Sequence, residues 1–353
     1  MSMNDRYYIK LCFKLAKLGR GFVSPNPLVG SVIVKKNRII GIGYFRRYGD
    51  KHAEIRAIED AGSDVKDSTI YINLEPHSYY SINPPCTDAI IKAGIKRVVI
   101  SNIDPNPKVN GNGVKILREN NIEVEVGILE REGEKLNEFY FHYIRTNKPF
   151  VILKFAQTLD GFIADENYKS KWISSEISLK FAHKLRSYVD AIAVGSNTVL
   201  KDNPYLTARE YYKPIQPIKV IFDSECKTLK YINELNIFKE GKVIIFSKIE
   251  KEIKMENVEI IKINNLEDAL IELGKRKIIS LLVEGGSKLL SSFLKENLFN
   301  KVYVVISPKI LGKGISSFGD YLGSLENRLV LDKVLRLGED ILGVYYNKNF
   351  KNA

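Results

Sequence analysis

Two short phrases hold most of the reactive side chains in the first half of the chain: HAE at 52–54 and LEPHSYYSINPPC at 74–86. The 353 residues include only four histidines and three cysteines, so the gathering of His52, His77 and Cys86 asks for a chemical reason. Imidazole and thiolate are zinc ligands, and three protein ligands with a fourth position open to water make the catalytic pattern for that metal. Zinc brings the pKa of such a water toward ~7. Glu54, two residues after His52 at the start of a helical pattern, can face the same centre and carry a proton as general base and then general acid. Cys86 follows two prolines at a second helix start, where unpaired backbone amides favour a thiolate. The chemistry expected is hydrolytic removal of an amine from a ring, with zinc as cofactor, His52, His77 and Cys86 as its ligands and Glu54 as the catalytic residue.

A second candidate lies in VEGGSKLL (283–290), where an apolar strand runs through paired glycines into an apolar helix. Glycine there lets backbone amides approach a phosphate with no side chain between. Such a turn is common in α/β proteins, and it lacks the G-x-G-x-x-G spacing of a dinucleotide fingerprint. Its meaning depends on the rest of the second half.

The elements that must position these groups are legible from periodicity. LVGSVIVKK (28–36) and RIIGIGYF (38–45) read as paired strands across a Lys-Asn turn, and HAEIRAIEDAG (52–62) as a helix ended by Gly62. A strand over 68–76, a helix over 85–94 with proline at its start, and a strand over 96–102 continue the rhythm. A long helix is predicted over 131–145, and NKPF (147–150) is the junction. The pattern then begins afresh with FVILKFAQTLDGFIA (150–164), a helix over 178–189, and strands at 217–224, 241–248 and 301–312. Strands alternating with helices of about ten residues predict an α/β protein, here in two domains, residues 1–147 and 148–353.

Composition excludes several classes. Hydrophobic residues at 44% and charged residues at 27% describe a globular chain, and no apolar run approaches the ~20 residues of a membrane span. The first twenty residues read as an amphipathic helix, with Ile9, Cys12, Phe13 and Leu15 on one face, and not as an export signal. Three widely spaced cysteines point to a reducing compartment, so a cytoplasmic location without disulfides is expected. The formal charge of +12 comes from lysines spread along the chain, without the basic and aromatic interleaving of a nucleic-acid surface. No nucleic-acid or membrane partner is expected.

The first 147 residues resemble a cytidine-deaminase-type zinc domain of the H-x-E and P-C-x-x-C kind. More closely, the whole chain resembles the bifunctional riboflavin-biosynthesis deaminase/reductase family. PNPLVGSVIV (25–34), HAEIRAI, NLEP, PPCTDAIIKAGI (84–95) and DPNPKVNGNG (104–113) carry the first half of that resemblance. Lys154, Ala156 and TLDG (158–161), SKWISS (170–175) and VGSNTVLKDNPYLTAR (194–209) carry the second. The resemblance implies a cytidine-deaminase-like three-layer domain followed by a dihydrofolate-reductase-like domain using NADPH. It implies two small-molecule substrates, phosphoribosylaminopyrimidines deaminated by the first domain and reduced from ribosyl to ribityl by the second. It also implies a homodimer. It places Ser170, Arg186, Leu206, Arg209 and Glu284 around the substrate. Cofactor contacts map to Ala156, Trp172, Thr198, Asp202 and Ser224. The glycine turn and its helix add Gly286, Ser287, Lys288, Leu289, Leu290, Ser291 and Ser292. Arg186 and Arg209 suit a phosphate because each offers a planar fork of donors. The proton donor of the reduction stays open, with Asp160 and Lys154 as residues that could shape the pocket.

The opening phrase departs from the family's pattern, LEPC-S-H-x-G-R-T-PPC. His77 stands at the first cysteine, Tyr79 at the histidine, and Ser81, Ile82 and Asn83 at Gly-Arg-Thr. Arg56 occupies a usual histidine position and Ser31 a usual cysteine. Two imidazoles and one thiolate leave Zn²⁺ at +1 where two thiolates would cancel its charge, so the bound water is expected to be more acidic. Glu75 reads as a loop anchor. Two other readings stay open at this point. One is a reductase with a relict deaminase domain, in which His52 and Glu54 persist only as helix-start polar residues. The other is a nucleic-acid-binding or base-editing deaminase.

Overall fold

A computed structural model of the protein describes residues 3–80, 83–168, 173–211, 215–319, 321, 323 and 329–351. Ser170 and Trp172, assigned above to substrate and cofactor, lie outside the described residues, as do Ser81 and Ile82. The chain forms two compact units, Met1–Asn147 and Lys148–Ala353.

The first unit runs α1 (Met3–Ala16), β1 (Gly30–Lys35), β2 (Arg38–Tyr44), α2 (Ala53–Ala61), β3 (Thr69–Leu74) and α3 (Cys86–Lys92). It continues with β4 (Arg97–Asn102), α4 (Asn112–Glu119), β5 (Glu123–Val126), α5 (Glu130–Leu136) and α6 (Glu138–Thr146). Its sheet has the order β2-β1-β3-β4-β5, antiparallel on the β2 side and parallel from β3 to β5. Lys36 and Asn37 both take positive φ, 51° and 61°, the conformation a two-residue hairpin turn requires. Two apolar clusters cover the two faces of the sheet. One joins α1 through Ile9, Cys12 and Phe13 to Val32 and Val99; the other joins α2 and α4 through Ala57 and Leu117 to Ile33, Ile70 and Ile100. This is the three-layer arrangement. The predicted helix over 131–145 is instead broken at Asn137, between α5 and α6. The Asn137 side chain accepts from Leu28 N at 2.7 Å and donates to Leu28 O at 3.0 Å, so its hydrogen bonds tie the break to the strand entering β1.

The second unit runs β6 (Phe150–Gln157), β7 (Phe162–Ala164), α7 (Glu176–Arg186), β8 (Ala191–Gly195), α8 (Ser196–Asp202), β9 (Ile218–Phe222), β10 (Val243–Ser247) and β11 (Val258–Lys262). Then come α9 (Leu266–Lys275), β12 (Ser280–Val283), α10 (Ser287–Lys295), β13 (Lys301–Ile306), β14 (Ile315–Ser316), β15 (Leu329–Leu337) and β16 (Asp340–Asn347). Nine strands form one sheet in the order β11-β10-β9-β8-β12-β6-β13-β16-β15. All neighbours are parallel from β11 to β13, and β16 and β15 add an antiparallel edge. The central strands are buried on both faces, which is why FVIL and SLLV read as continuous apolar runs. Each fully buried Phe, Leu, Ile or Val there contributes roughly 1.5–3 kcal/mol of transfer free energy. Among the described residues no helix is long and apolar enough to cross a membrane.

Candidate functional site

In the first unit the ends of β3, α2 and α3 bring the three expected ligands together. His52 is the N-cap of α2 and Cys86 the first residue of α3. His77 follows β3 through Glu75 and Pro76, and its carbonyl accepts from Cys86 N at 3.0 Å, closing the loop onto α3. His52 Nδ1 lies 3.3 Å and His77 Nδ1 3.2 Å from Cys86 Sγ. The three ligand atoms all lie within 4.8 Å of one another. A tetrahedral zinc with bonds of about 2.05 Å to nitrogen and 2.3 Å to sulfur would separate N and S by about 3.5 Å. The donor set therefore fits the metal in chemistry and in spacing.

Glu54 projects from the first turn of α2 and is buried at 3% exposure beside the Cys86 thiol. Its Oε2 has no hydrogen-bond partner. Burial raises its pKa to about 7, opposed in part by its own backbone amide and by Cys86. A buried carboxyl poised near neutrality, with one oxygen unpartnered, can take up and release a proton. Burial also lowers the His52 pKa to about 4, with His77 adding to the effect, and it lowers that of His77. Both rings are thereby kept in the neutral form that binds metal. Burial, and then Glu54, push the Cys86 thiol well up in the metal-free protein. A cation at this point would reverse that, since a coordinating thiol is deprotonated.

Glu75 is a loop anchor. Its carboxylate accepts from the amides of Asp104 (3.2 Å), Gly111 (2.9 Å) and Val114 (3.2 Å), tying the DPNPKVNGNG segment and the first turn of α4 to the end of β3. Asn73, one strand position from Leu74, accepts from Gly30 N at 2.6 Å and donates to Leu28 O at 2.9 Å. Neither Asn73 nor the pairing of Arg56 with Asp50 beside His52 is legible in the sequence. Their partners lie far along the chain or are set by loop geometry.

In the second unit a cleft of about 1070 Å³ opens at the carboxyl ends of the parallel strands, where open α/β sheets bind ligands. Ala156, Thr198, Asp202, Ser224 and Gly286–Leu290 line it together with Ser292. Ser291 does not; it is buried in α10. The glycine turn is shaped for close approach. Gly285 has φ +102°, and a Cβ on Gly286 would sit 3.3 Å from Thr198 Oγ1, which accepts from Gly286 N at 2.9 Å. Lys201, Lys227, Lys248 and Lys288 line the same cleft and suit an anionic ligand. A long cleft with a side-chain-free turn and lysines fits a phosphorylated nucleotide cofactor.

Of the residues assigned to substrate, Glu284 lines this cleft and Arg186 reaches it through Glu284. Arg186 Nε and Nη2 donate to the two Glu284 oxygens at 2.8 and 2.6 Å, and Nη1 donates to Thr207 O at 3.2 Å. Arg186 is thus the base of a buried ion pair. Burial would raise the Glu284 pKa, yet Arg186, with Lys154 and His183, holds it down at about 2. Leu206 is buried with φ +53°, Arg209 is exposed, and neither lines the cleft. The two residues left open as pocket shapers separate. Lys154 lines the cleft, and burial lowers its pKa against the pull of Glu284. Asp160 is exposed and accepts from Gly312 N at 2.7 Å, holding the segment after β13. His183, which donates from Nδ1 to Thr207 O at 3.0 Å, and Thr207 itself gave no signal in the sequence.

Fold and site together define a two-domain enzyme, a zinc-type deaminase unit followed by a nucleotide-dependent reductase unit. Residues 2–102 match the family described as cytidine and deoxycytidylate deaminase zinc-binding region, and residues 149–342 match the RibD C-terminal domain. Riboflavin biosynthesis protein RibD of Aquifex aeolicus (strain VF5) is 44% identical over 347 residues, covering 96% of this chain and 97% of that protein. The Escherichia coli (strain K12) protein of the same name is 36% identical over 330 residues, 88% of this chain and 89% of its own. A crystal structure from Thermotoga maritima is described as a diaminohydroxyphosphoribosylaminopyrimidine deaminase/5-amino-6-(5-phosphoribosylamino)uracil reductase. It superposes with TM-score 0.91 at 40% identity, over 97% of this chain and 98% of that one. RibD of Acinetobacter baumannii superposes at 0.89 with 32% identity, over 97% and 98%. The chain belongs to the riboflavin-biosynthesis RibD family, whose members join a zinc-dependent deaminase to an NADPH-dependent reductase.

Proposed function

We propose that residues 1–147 hydrolytically deaminate 2,5-diamino-6-ribosylamino-4(3H)-pyrimidinone 5′-phosphate. Residues 148–353 then reduce the resulting 5-amino-6-(5-phosphoribosylamino)uracil to its ribityl form. The observation that carries the first half is the convergence of His52, His77 and Cys86 beside the buried, half-partnered carboxyl of Glu54. His52, His77 and Cys86 would hold zinc, which supplies the Lewis acidity that makes water a nucleophile at neutral pH. Glu54 takes one proton from the attacking water at its carboxylate and delivers it to the ring nitrogen, then carries the remaining hydroxyl proton to the amine, which departs as ammonia.

In the second unit Ala156, Thr198, Asp202, Ser224, Gly286–Leu290 and Ser292 would hold NADPH, which supplies the reducing equivalents. Trp172 and Ser170 carry over from the family pattern as cofactor and substrate contacts. Glu284, with Arg186 behind it, orients the ribosyl hydroxyls, and Arg209 and Leu206, outside the cleft lining, carry over from the family pattern as substrate contacts. Lys154 lines the same cleft, where the charge of Glu284 opposes the lowering of its pKa by burial. The protein works in the cytoplasm, a reading supported by three buried free cysteines. Exposed Leu331, Val334 and Ile341 on the β15–β16 edge, with Ile177 on α7, support a homodimer.

Purified protein loaded with zinc and given the diamino substrate with NADPH should release ammonia and oxidise NADPH. Glu54→Gln should abolish ammonia release and leave reduction of the deaminated substrate intact. No ammonia from the zinc-loaded protein would overturn the deaminase assignment, and no NADPH oxidation with the uracil substrate would overturn the other.

A further inference from the structure

His77 brings a requirement that a cysteine at that position would not have. A thiolate ligand has one sulfur; an imidazole has a second nitrogen, and whatever that nitrogen bonds sets the tautomer and the ring orientation. Here Nδ1 faces Cys86, and Nε2 lies 3.5 Å from the carbonyl oxygen of Asn83. The same Asn83 donates from Nδ2 to the carbonyl of Asp50 at 3.1 Å. The Asp50 carboxylate in turn receives Arg56 Nη2 at 2.7 Å on each oxygen. That ion pair is partly buried, with side-chain exposures of 19% for Arg56 and 21% for Asp50, so it is more than a loose surface contact. Arg56 sits on α2, one turn after His52, the other histidine of the site. The contacts therefore run from one imidazole to the helix carrying the other: His77, Asn83, Asp50, Arg56, α2. Two remaining sides of the imidazole pair are aromatic. Tyr79 meets His77 edge-on at 5.6 Å between centroids, and Phe45 meets His52 at 5.4 Å.

We infer that Asn83, Asp50 and Arg56 are positioning residues that hold the His77 imidazole toward the metal position. His77, Asn83 and Arg56 are also three of the places where this chain departs from its family's pattern. One chain of contacts joins them, so the substitutions form a single compensating set: the new ligand needs an acceptor for its second nitrogen, Asn83 supplies it, and Arg56 anchors Asn83 through Asp50. This rests on reading His52, His77 and Cys86 as the zinc site.

The test uses the full-length protein, with zinc affinity measured by competition against a chromophoric chelator and the ligand-field spectrum recorded after Co²⁺ substitution. Arg56→Met and Asn83→Ala should each weaken zinc by ~10- to 100-fold, the range for groups that orient a metal ligand, and alter the Co²⁺ spectrum. In a His77→Cys background, where no second ring nitrogen needs holding, Arg56→Met should change affinity by less than about threefold, a non-additivity that a general folding role would not produce. Equal losses in the two backgrounds, or unchanged affinity in both single variants, would overturn the inference. Wild-type protein that fails to bind zinc would instead overturn the metal-site reading. Should Arg56→Met unfold the unit, seen as lost amide protection in β3 and β4, the comparison is made with Asn83→Ala, whose change is confined to the loop.

Discussion

Glu54→Gln should stabilise the metal-free first unit at alkaline pH while destroying its deaminase activity. The Glu54 carboxyl has its pKa raised from 4.5 to about 7 by burial. A carboxyl whose pKa is higher folded than unfolded makes the folded state bind the extra proton. Its contribution is therefore neutral below pH 4.5, falls as pH rises, and reaches its full penalty above about pH 7. At about 1.4 kcal/mol per pH unit, that penalty is about 3 kcal/mol. A glutamine removes the charge at every pH. Any fixed cost of placing its amide where Oε2 has no partner is independent of pH and cancels in a comparison across pH. Amide exchange of the buried β3 and β4 peptides reports unfolding of this unit. With zinc removed, the ratio of wild-type to variant exchange rates should be about 100-fold greater at pH 8 than at pH 4.5. A ratio unchanged between the two pH values would show that Glu54 is not held protonated by its surroundings. Glu54 would then lack the raised pKa that suits it to carry a proton.

Two further outcomes test the reductase unit. Arg186→Met leaves the buried Glu284 carboxylate without its fork and Thr207 O without one donor, so the second unit should lose about 3–5 kcal/mol of stability to urea. NADPH oxidation should disappear while ammonia release persists; the double variant with Glu284→Gln should be less destabilised than the sum of the two. Thr198→Val removes the acceptor for Gly286 N, and the glycine turn should loosen. Steady-state kinetics should show KM for NADPH raised ~10-fold, the loss of one buried hydrogen bond, with kcat little changed.

How much of this was written in local sequence depends on the reach of each interaction. The Lys36–Asn37 hairpin, the helix stop at Gly62 and the helix start at Cys86 are short-range events, and residue type alone indicates them. The ligand trio was legible because histidine and cysteine are rare in this chain. The break at Asn137 was not, because the cause is Leu28, 109 residues away, while the residues around it are ordinary helix formers. The ion pair of Arg186 was not legible either, because its partner Glu284 lies 98 residues on. Glu75 was read as an anchor, but that it holds three amides of one segment depends on the path of that segment after β4. Asp160 and Lys154 stand six residues apart around one turn, and sequence could not say which would face the cleft.

Glu284 is followed at once by the glycine pair, so under the proposed assignment a single bend of backbone ends in the acid that orients one ligand and begins the turn that receives another. With planar peptide units on either side, one end of so short a bend can hardly be moved while the other stays still. Lengthening it to accept a different electron carrier would drag the acid away from Arg186. In this scaffold, coenzyme preference and recognition of the sugar phosphate would have to be re-engineered as one property.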